Sequence, residues 1–273
     1  MGLPFVVLNM VSVLMFSGLG ISDTQIAFWT SLIMLPWTLK PLWSPFVGMF
    51  KTKKFFVALT QILSGTGFFL VALSLHLPHF FAISIALFFI VAFSGATHDI
   101  AADGVYMSLL SKSGQAEYIG WQGAFYNLAK IAATGGLVYL AGSLIEKWGA
   151  VHAWAIVMSL CGAILLLLGL YHIKALPSGA EMDKKAGSFR ESMDELWDVI
   201  NTFFAKKQII WYIGFILLYR LAEGFVIKIV PLFLNPHCVS TAANRLIFSS
   251  HTFRRSLRVP HKFSSFARHC IYL

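Results

Sequence analysis

"FFAISIALFFIVAFSGATHDIAADGVYMSLL", residues 80 to 110, decides the fold. It opens with nearly 20 residues that hold no charged side chain, the length a helix needs to cross the hydrocarbon of a bilayer. Then it places Asp99 and Asp103 on the same element. Windows of similar length recur at residues 3–19, 25–50, 55–75, 119–145, 150–172 and 208–233. The 273-residue chain is 58% hydrophobic and only 12% charged, with a mean hydropathy of +0.73. A soluble domain carries about 25% charged residues, so this composition excludes one. No alternating ten-residue pattern suggests a barrel, and lipid forces each spanning segment to satisfy its own backbone. The expectation is an all-α membrane protein.

Lys and Arg are retained on the cytoplasmic side of a membrane. Lys51, Lys53 and Lys54 share one short loop, Lys112 follows the fourth window, and Lys174, Lys184, Lys185, Arg190, Lys206 and Lys207 lie in the connection after the sixth. The loops "ISDT", "HLPH" and "EKWGAV" on the other side hold Lys147 alone. The N-terminus is therefore expected to be cytoplasmic. "MGLPFVVLNMVSVLMFSGLG" has neither a basic start nor a small-residue cleavage site, so it reads as a mature helix. The net charge of +9 is spread over loops and forms no patch, which argues for topology and against DNA or RNA as a partner.

The windows divide the chain into a six-helix transmembrane bundle over 1–174, a cytoplasmic linker over 175–207, a seventh helix over 208–234 and a tail over 235–273. Phe189, Met193, Leu196, Trp197, Ile200, Phe203 and Phe204 recur at helical spacing in the linker, which reads either as an amphipathic helix on the membrane surface or as a solvated connector. The tail has no Asp or Glu but carries Arg245, Arg254, Arg255, Arg258, Lys262 and Arg268. On the outer side that charge opposes the positive-inside bias. The tail is expected to be the product of a broken reading frame near residue 235, with a basic lipid-binding segment as the alternative.

The charges left inside the windows are Lys40, Asp99, Asp103, Lys130, Arg220, Glu223 and Lys228. Such groups cost at least about 2.5 kcal/mol each at the bilayer centre, and they face a bundle interior or a water-filled cavity, usually in pairs. Lys40 lies ten residues before Phe50 and Asp99 eleven before Leu110. At a rise of 1.5 Å per residue both fall about 15 Å from the inner surface, where they can meet. Asp99 and Asp103 share one helix face, so they need a counter-ion from Lys40 or Lys130, or a shared proton. The alternatives are a relay for protons or substrate and a plain ion-pair staple. Arg220 suits an anionic ligand through its bidentate fork, unless Glu223 three residues away neutralises it. Trp37, Trp43, Trp121 and Tyr126 are candidate cavity aromatics, with packing or interface anchoring as the other reading.

No phosphate-binding G-x-x-x-x-G-K-[ST] loop is present, and no H-E-x-x-H. In "THDIAAD", His98 lies roughly 100° around the helix from Asp99 and 140° from Asp103, so the three do not converge on a metal. Cys161, Cys238 and Cys270 form no C-x-x-C. No catalytic residue, metal or cofactor is expected, and membrane lipid is the only partner that composition implies.

"LPWTLKPLWSPFVG", "KTKKFFVALTQ", "AFSGATHDIAADGVYMSLL" and "LLYRLAEG", taken together, resemble the major facilitator superfamily in its muropeptide-permease (AmpG-like) and acetyl-CoA-transporter branch. The resemblance implies two six-helix halves and proton-coupled secondary transport by alternating access. It further implies uptake of peptidoglycan-derived muropeptides or a related anionic solute across the bacterial inner membrane. Lys40, Asp99, Asp103, Arg220 and Glu223 match charged positions of that pattern. Gly48 departs from it, since relatives place an acidic residue directly after W-S-P-x-V. Twelve helices are implied and seven windows are found, so the chain is expected to be an incomplete copy, with the missing C-terminal half as a partner. An inactive or assembly-dependent fragment is the competing expectation, and a membrane enzyme the third.

Overall fold

The structure is a computed structural model that describes residues 2–44, 47, 52–176, 194, 197–198, 201–219 and 221–222. The regular structure among these residues is entirely helical, and four helices are long and apolar enough to cross a membrane. They are α4 (Lys53–Ser74), α5 (Phe80–Leu109), α6 (Lys112–Trp148) and α7 (Ala150–Ala175). Two shorter apolar helices, α1 (Gly2–Gly18) and α8 (Ile209–Tyr219), stand near the two ends of the described chain. This is an all-α membrane protein. Phe189, Met193, Leu196 and Ile200 of the linker, together with Arg220, Glu223, Lys228 and the tail over 235–273, lie outside the described residues.

The second window does not form one helix. It divides into α2 (Asp23–Leu32), the short α3 (Leu35–Thr38) and a 3₁₀ turn over Lys40–Leu42. Pro36 and Pro41 explain the divisions, because each lacks an N–H for the helical ladder and its ring clashes with the preceding turn. Residues directly before proline are also pushed out of the α region. The single continuous span read over 25–50 is corrected accordingly, and the break brings Lys40 to the start of a turn.

α1 forms the centre of the bundle. Val6, Val7, Leu8, Val11, Val13, Met15 and Phe16 are all buried, as expected for a helix that is apolar on every side. A π-helical turn over Val7–Val11 interrupts it. Asn9 donates to the Phe5 carbonyl at 3.0 Å and Ser12 to the Leu8 carbonyl at 2.7 Å, so the local backbone carbonyls have side-chain donors as well. Phe16 meets Phe81 and Phe88 edge to face, which ties α1 to α5.

α4 is capped by Thr52, whose hydroxyl accepts from the Phe55 amide at 3.3 Å. It packs along both α5 and α7. At the α4–α7 crossing, a Cβ on Gly65 would stand 2.9 Å from the Gly162 carbonyl oxygen and one on Gly162 would stand 2.8 Å from that of Gly65. Only a missing side chain on both helices allows that approach, the usual device for close helix packing in lipid. Ser64 donates to Ser94 at 3.0 Å, and Ser94 donates to the Thr60 carbonyl at 2.8 Å, so α4 and α5 are joined by hydrogen bonds as well as by packing.

α6 behaves differently. It starts at the Ser111 cap and is clamped to the end of α5, because Tyr106 donates to the Gln115 carbonyl and the Gln115 amide donates to Met107 and Leu110 carbonyls. Its first half, Lys112–Ile131, buries no residue, whereas Ala133, Leu137 and Ala141 further along are buried. A π-helical turn over Ala132–Leu137 separates the two halves. The expected fifth window, 119–145, thus lies within a longer helix.

Candidate functional site

The break after α3 and the middle of α5 build the site together. Lys40 Nζ lies 2.8 Å from Asp99 Oδ2, a side-chain ion pair with 27% and 17% of the respective side chains exposed. The depth count places these two residues level, and in the fold they are in contact. Trp37 from α3 donates its indole N–H to the same Asp99 oxygen at 2.9 Å. One carboxylate oxygen therefore meets both a cation and a neutral donor, the arrangement that makes a partly buried charge tolerable.

Trp37 is itself fixed from two sides. Phe5 of α1 meets it edge to face at 5.3 Å. On the other side the α5 backbone comes so close that a Cβ on Gly95 would stand 2.9 Å from Trp37 Cζ2. Asp103, one turn beyond Asp99, is exposed and accepts from Gln122 of α6 at 3.4 Å. Phe5, Trp37, Asp99, Asp103, Gln122 and Tyr126 line an open pocket of about 250 Å³. Both carboxylates of the predicted pair therefore face one pocket, with a single cation bound to one of them.

A second cavity of about 610 Å³ lies beside it, and Gln122 and Tyr126 belong to the walls of both. Thr60, Gln61 and Ser64 of α4, His98 of α5 and Asn127 of α6 supply its polar surface. His98 is buried, with Nδ1 at 3.1 Å from the Thr60 hydroxyl. It points toward α4 while Asp99 points toward Lys40, as their adjacent positions on one helix require. Gln61 Oε1 lies 2.8 Å from Nδ1 of His172 on α7.

The other candidates fall elsewhere. Tyr126 lines both cavities, but Trp43 stacks on Phe93 at 4.6 Å with an interplanar angle of 20° and lines neither. Trp121 is exposed and lies beside Phe125, again outside the two cavities. Lys130 is exposed and forms no ion pair among the described residues, so the cation at the carboxylates is Lys40. Among the described residues no group of three or more His, Cys, Asp or Glu is placed to hold a metal ion. Sequence reasoning missed Phe5, Thr60, Gln61, Ser64, Gln122 and Asn127. The available signal was a Thr, a Gln and a Ser within five residues of an apolar span, since polar side chains in such helices usually cross-link helices or meet water.

Helices of membrane-spanning length that enclose an ion pair and two adjoining cavities define a multi-pass membrane protein with a polar interior. Residues 2–243 match the model of the BT1 family, a family of transporters related to the major facilitator superfamily, and the chain belongs to that family. No curated protein and no solved structure matches the chain.

Proposed function

We propose that this transporter is a proton-coupled secondary transporter of the bacterial inner membrane, with a cytoplasmic N-terminus, that carries peptidoglycan-derived muropeptides or a related anionic solute. The observation that carries the reading is the Lys40–Asp99 pair with Asp103 one turn away on the same cavity wall. Two carboxylates and one ammonium leave one negative charge in the pocket unless a proton is taken up. Proton binding to Asp103 therefore changes the charge that a solute meets, and this is the coupling that symport requires. Arg220, with Glu223 as its neighbour, serves as the binding group for the solute's anion in this reading, and the resemblance of "LLYRLAEG" supports it. Lys130 is not needed in the relay.

Uptake of labelled muropeptide into proteoliposomes tests the proposal. An inwardly directed proton gradient should drive accumulation in the intact protein and should fail to do so after Asp103→Asn. Accumulation that is insensitive to the gradient would refute proton coupling, and no accumulation of any muropeptide would refute the substrate.

A second reading is favoured by α6. Its first half buries nothing, and it leaves Lys130 exposed along a span. Polar groups at that depth call for a protein neighbour or water. In this reading the chain is an assembly-dependent transporter fragment whose activity requires a partner bundle laid against α6. Uptake that appears only on co-expression with such a bundle separates the two.

A further inference from the structure

We infer that His76 and His152 form a two-histidine site for a late first-row divalent cation such as Zn²⁺ or Cu²⁺, at the end of the bundle opposite the lysine-rich loops. The two rings come from different elements, His76 from the turn after α4 and His152 from the first turn of α7. They meet with ring centres 5.2 Å apart and planes at 75°. A tetrahedral ion with bonds of about 2.0–2.1 Å to nitrogen holds the centres of two ligating imidazoles about 5 Å apart, so the pair already stands at ligating distance. The angle between the planes is no obstacle, because each ring turns about its own metal–nitrogen bond. Imidazole is a ligand suited to zinc, copper and nickel, which sets the class of ion.

The packing of α4 on α7 sets the frame that holds the pair. The Gly65–Gly162 crossing keeps these helices close, and the hydroxyls of Ser74 and Ser84, 3.0 Å apart, fix the end of α4 against the start of α5. The His76 amide donates to the Leu73 carbonyl at 3.3 Å, so this residue continues the last turn of α4. The fold therefore brings the imidazoles together before any ion arrives, which removes part of the ordering cost of binding. Both residues are exposed, and among the described residues neither ring forms a hydrogen bond or an ion pair. A metal binds the unprotonated nitrogen of a neutral imidazole, and that nitrogen is available on each ring. Two protein ligands leave two corners of a tetrahedron to water or a small anion. His79, in the same turn, completes no group of three with them among the described residues.

Zn²⁺ alone, dialysed to equilibrium against the untagged full chain in detergent micelles and counted by metal analysis, tests the assignment. The chain holds nine histidines and three cysteines, so the reading is the difference between variants and not the total bound. His76→Phe and His152→Phe should each lower the bound Zn²⁺ by one ion per chain, and the two together by that same single ion. Phenylalanine keeps an aromatic ring in the contact and removes the nitrogens, so a loss reports ligation and not packing. His152→Cys should keep the ion, because a thiolate is also a zinc ligand. His79→Phe should leave the count unchanged. Equal binding by the parent and both Phe variants would make the pair an aromatic contact only and would overturn the site. Loss of the same ion in His79→Phe, or in His152→Cys, would overturn it as well. None of these readings depends on transport, so the proposed function stands or falls separately.

Discussion

Lys40→Ala leaves Asp99 with Trp37 as its side-chain donor among the described residues. Removing one partner of a buried pair is destabilising by about 3–5 kcal/mol, chiefly because the surviving charge stays desolvated. Two features place this pair at or below the lower end. The side chains keep 27% and 17% of their exposure, so water screens the charges in part. The Trp37 indole also stays 2.9 Å from Asp99 Oδ2, and a hydrogen bond to a charged group is worth about 1.5–3 kcal/mol. A loss of about 2–3 kcal/mol is expected for Lys40→Ala. Combining it with Asp99→Asn removes the stranded charge while preserving an amide oxygen for Trp37, so the double variant should lose only about 1 kcal/mol. The assay is the midpoint of unfolding in mixed micelles titrated with sodium dodecyl sulfate, read by tryptophan fluorescence for the parent, both single variants and the double variant. A double variant whose loss equals the sum of the single losses would refute the pairing as an energetic unit.

Gly95→Val should displace Trp37, because a Cβ there would stand 2.9 Å from the indole. A loss of about 1–3 kcal/mol with a shifted tryptophan emission is expected, and an unchanged spectrum would contradict the packing. Gly162→Leu drives a side chain into the Gly65 carbonyl and should separate α4 from α7. Engineered cysteine pairs across that crossing would then cross-link more slowly than in the parent. Asp103→Asn should change the unfolding midpoint by less than about 0.5 kcal/mol, since Asp103 is exposed and its hydrogen bond from Gln122 is long, at 3.4 Å, and yet it should abolish proton-driven uptake. A large stability loss would mark Asp103 as structural instead.

The charged site was more legible than the neutral one, and the reason is energetic. A formal charge in an apolar window is conspicuous because its desolvation demands a partner, so counting residues from the helix ends was enough to bring Lys40 and Asp99 to one level. Thr60, Gln61, Ser64 and Asn127 carry no such demand. Each can bond back to its own helix or face a neighbour, and the choice depends on how α4, α6 and α7 pack. Trp37 and Trp43 show the same limit. Both lie beside the prolines, but only Trp37 reaches Asp99, and Trp43 stacks on Phe93.

The sequence by itself determined that the chain is helical and crosses a membrane, because apolar segments of bilayer length leave the backbone no other way to satisfy its hydrogen bonds. It also determined that its few internal charges would have to be neutralised. Only the tertiary structure decided which cation would do so, where the second window breaks and which polar residues face a common cavity. Those outcomes depend on contacts between helices far apart in the chain, such as Pro4 against Gly95 and Gln61 against His172, and no local period or propensity records them.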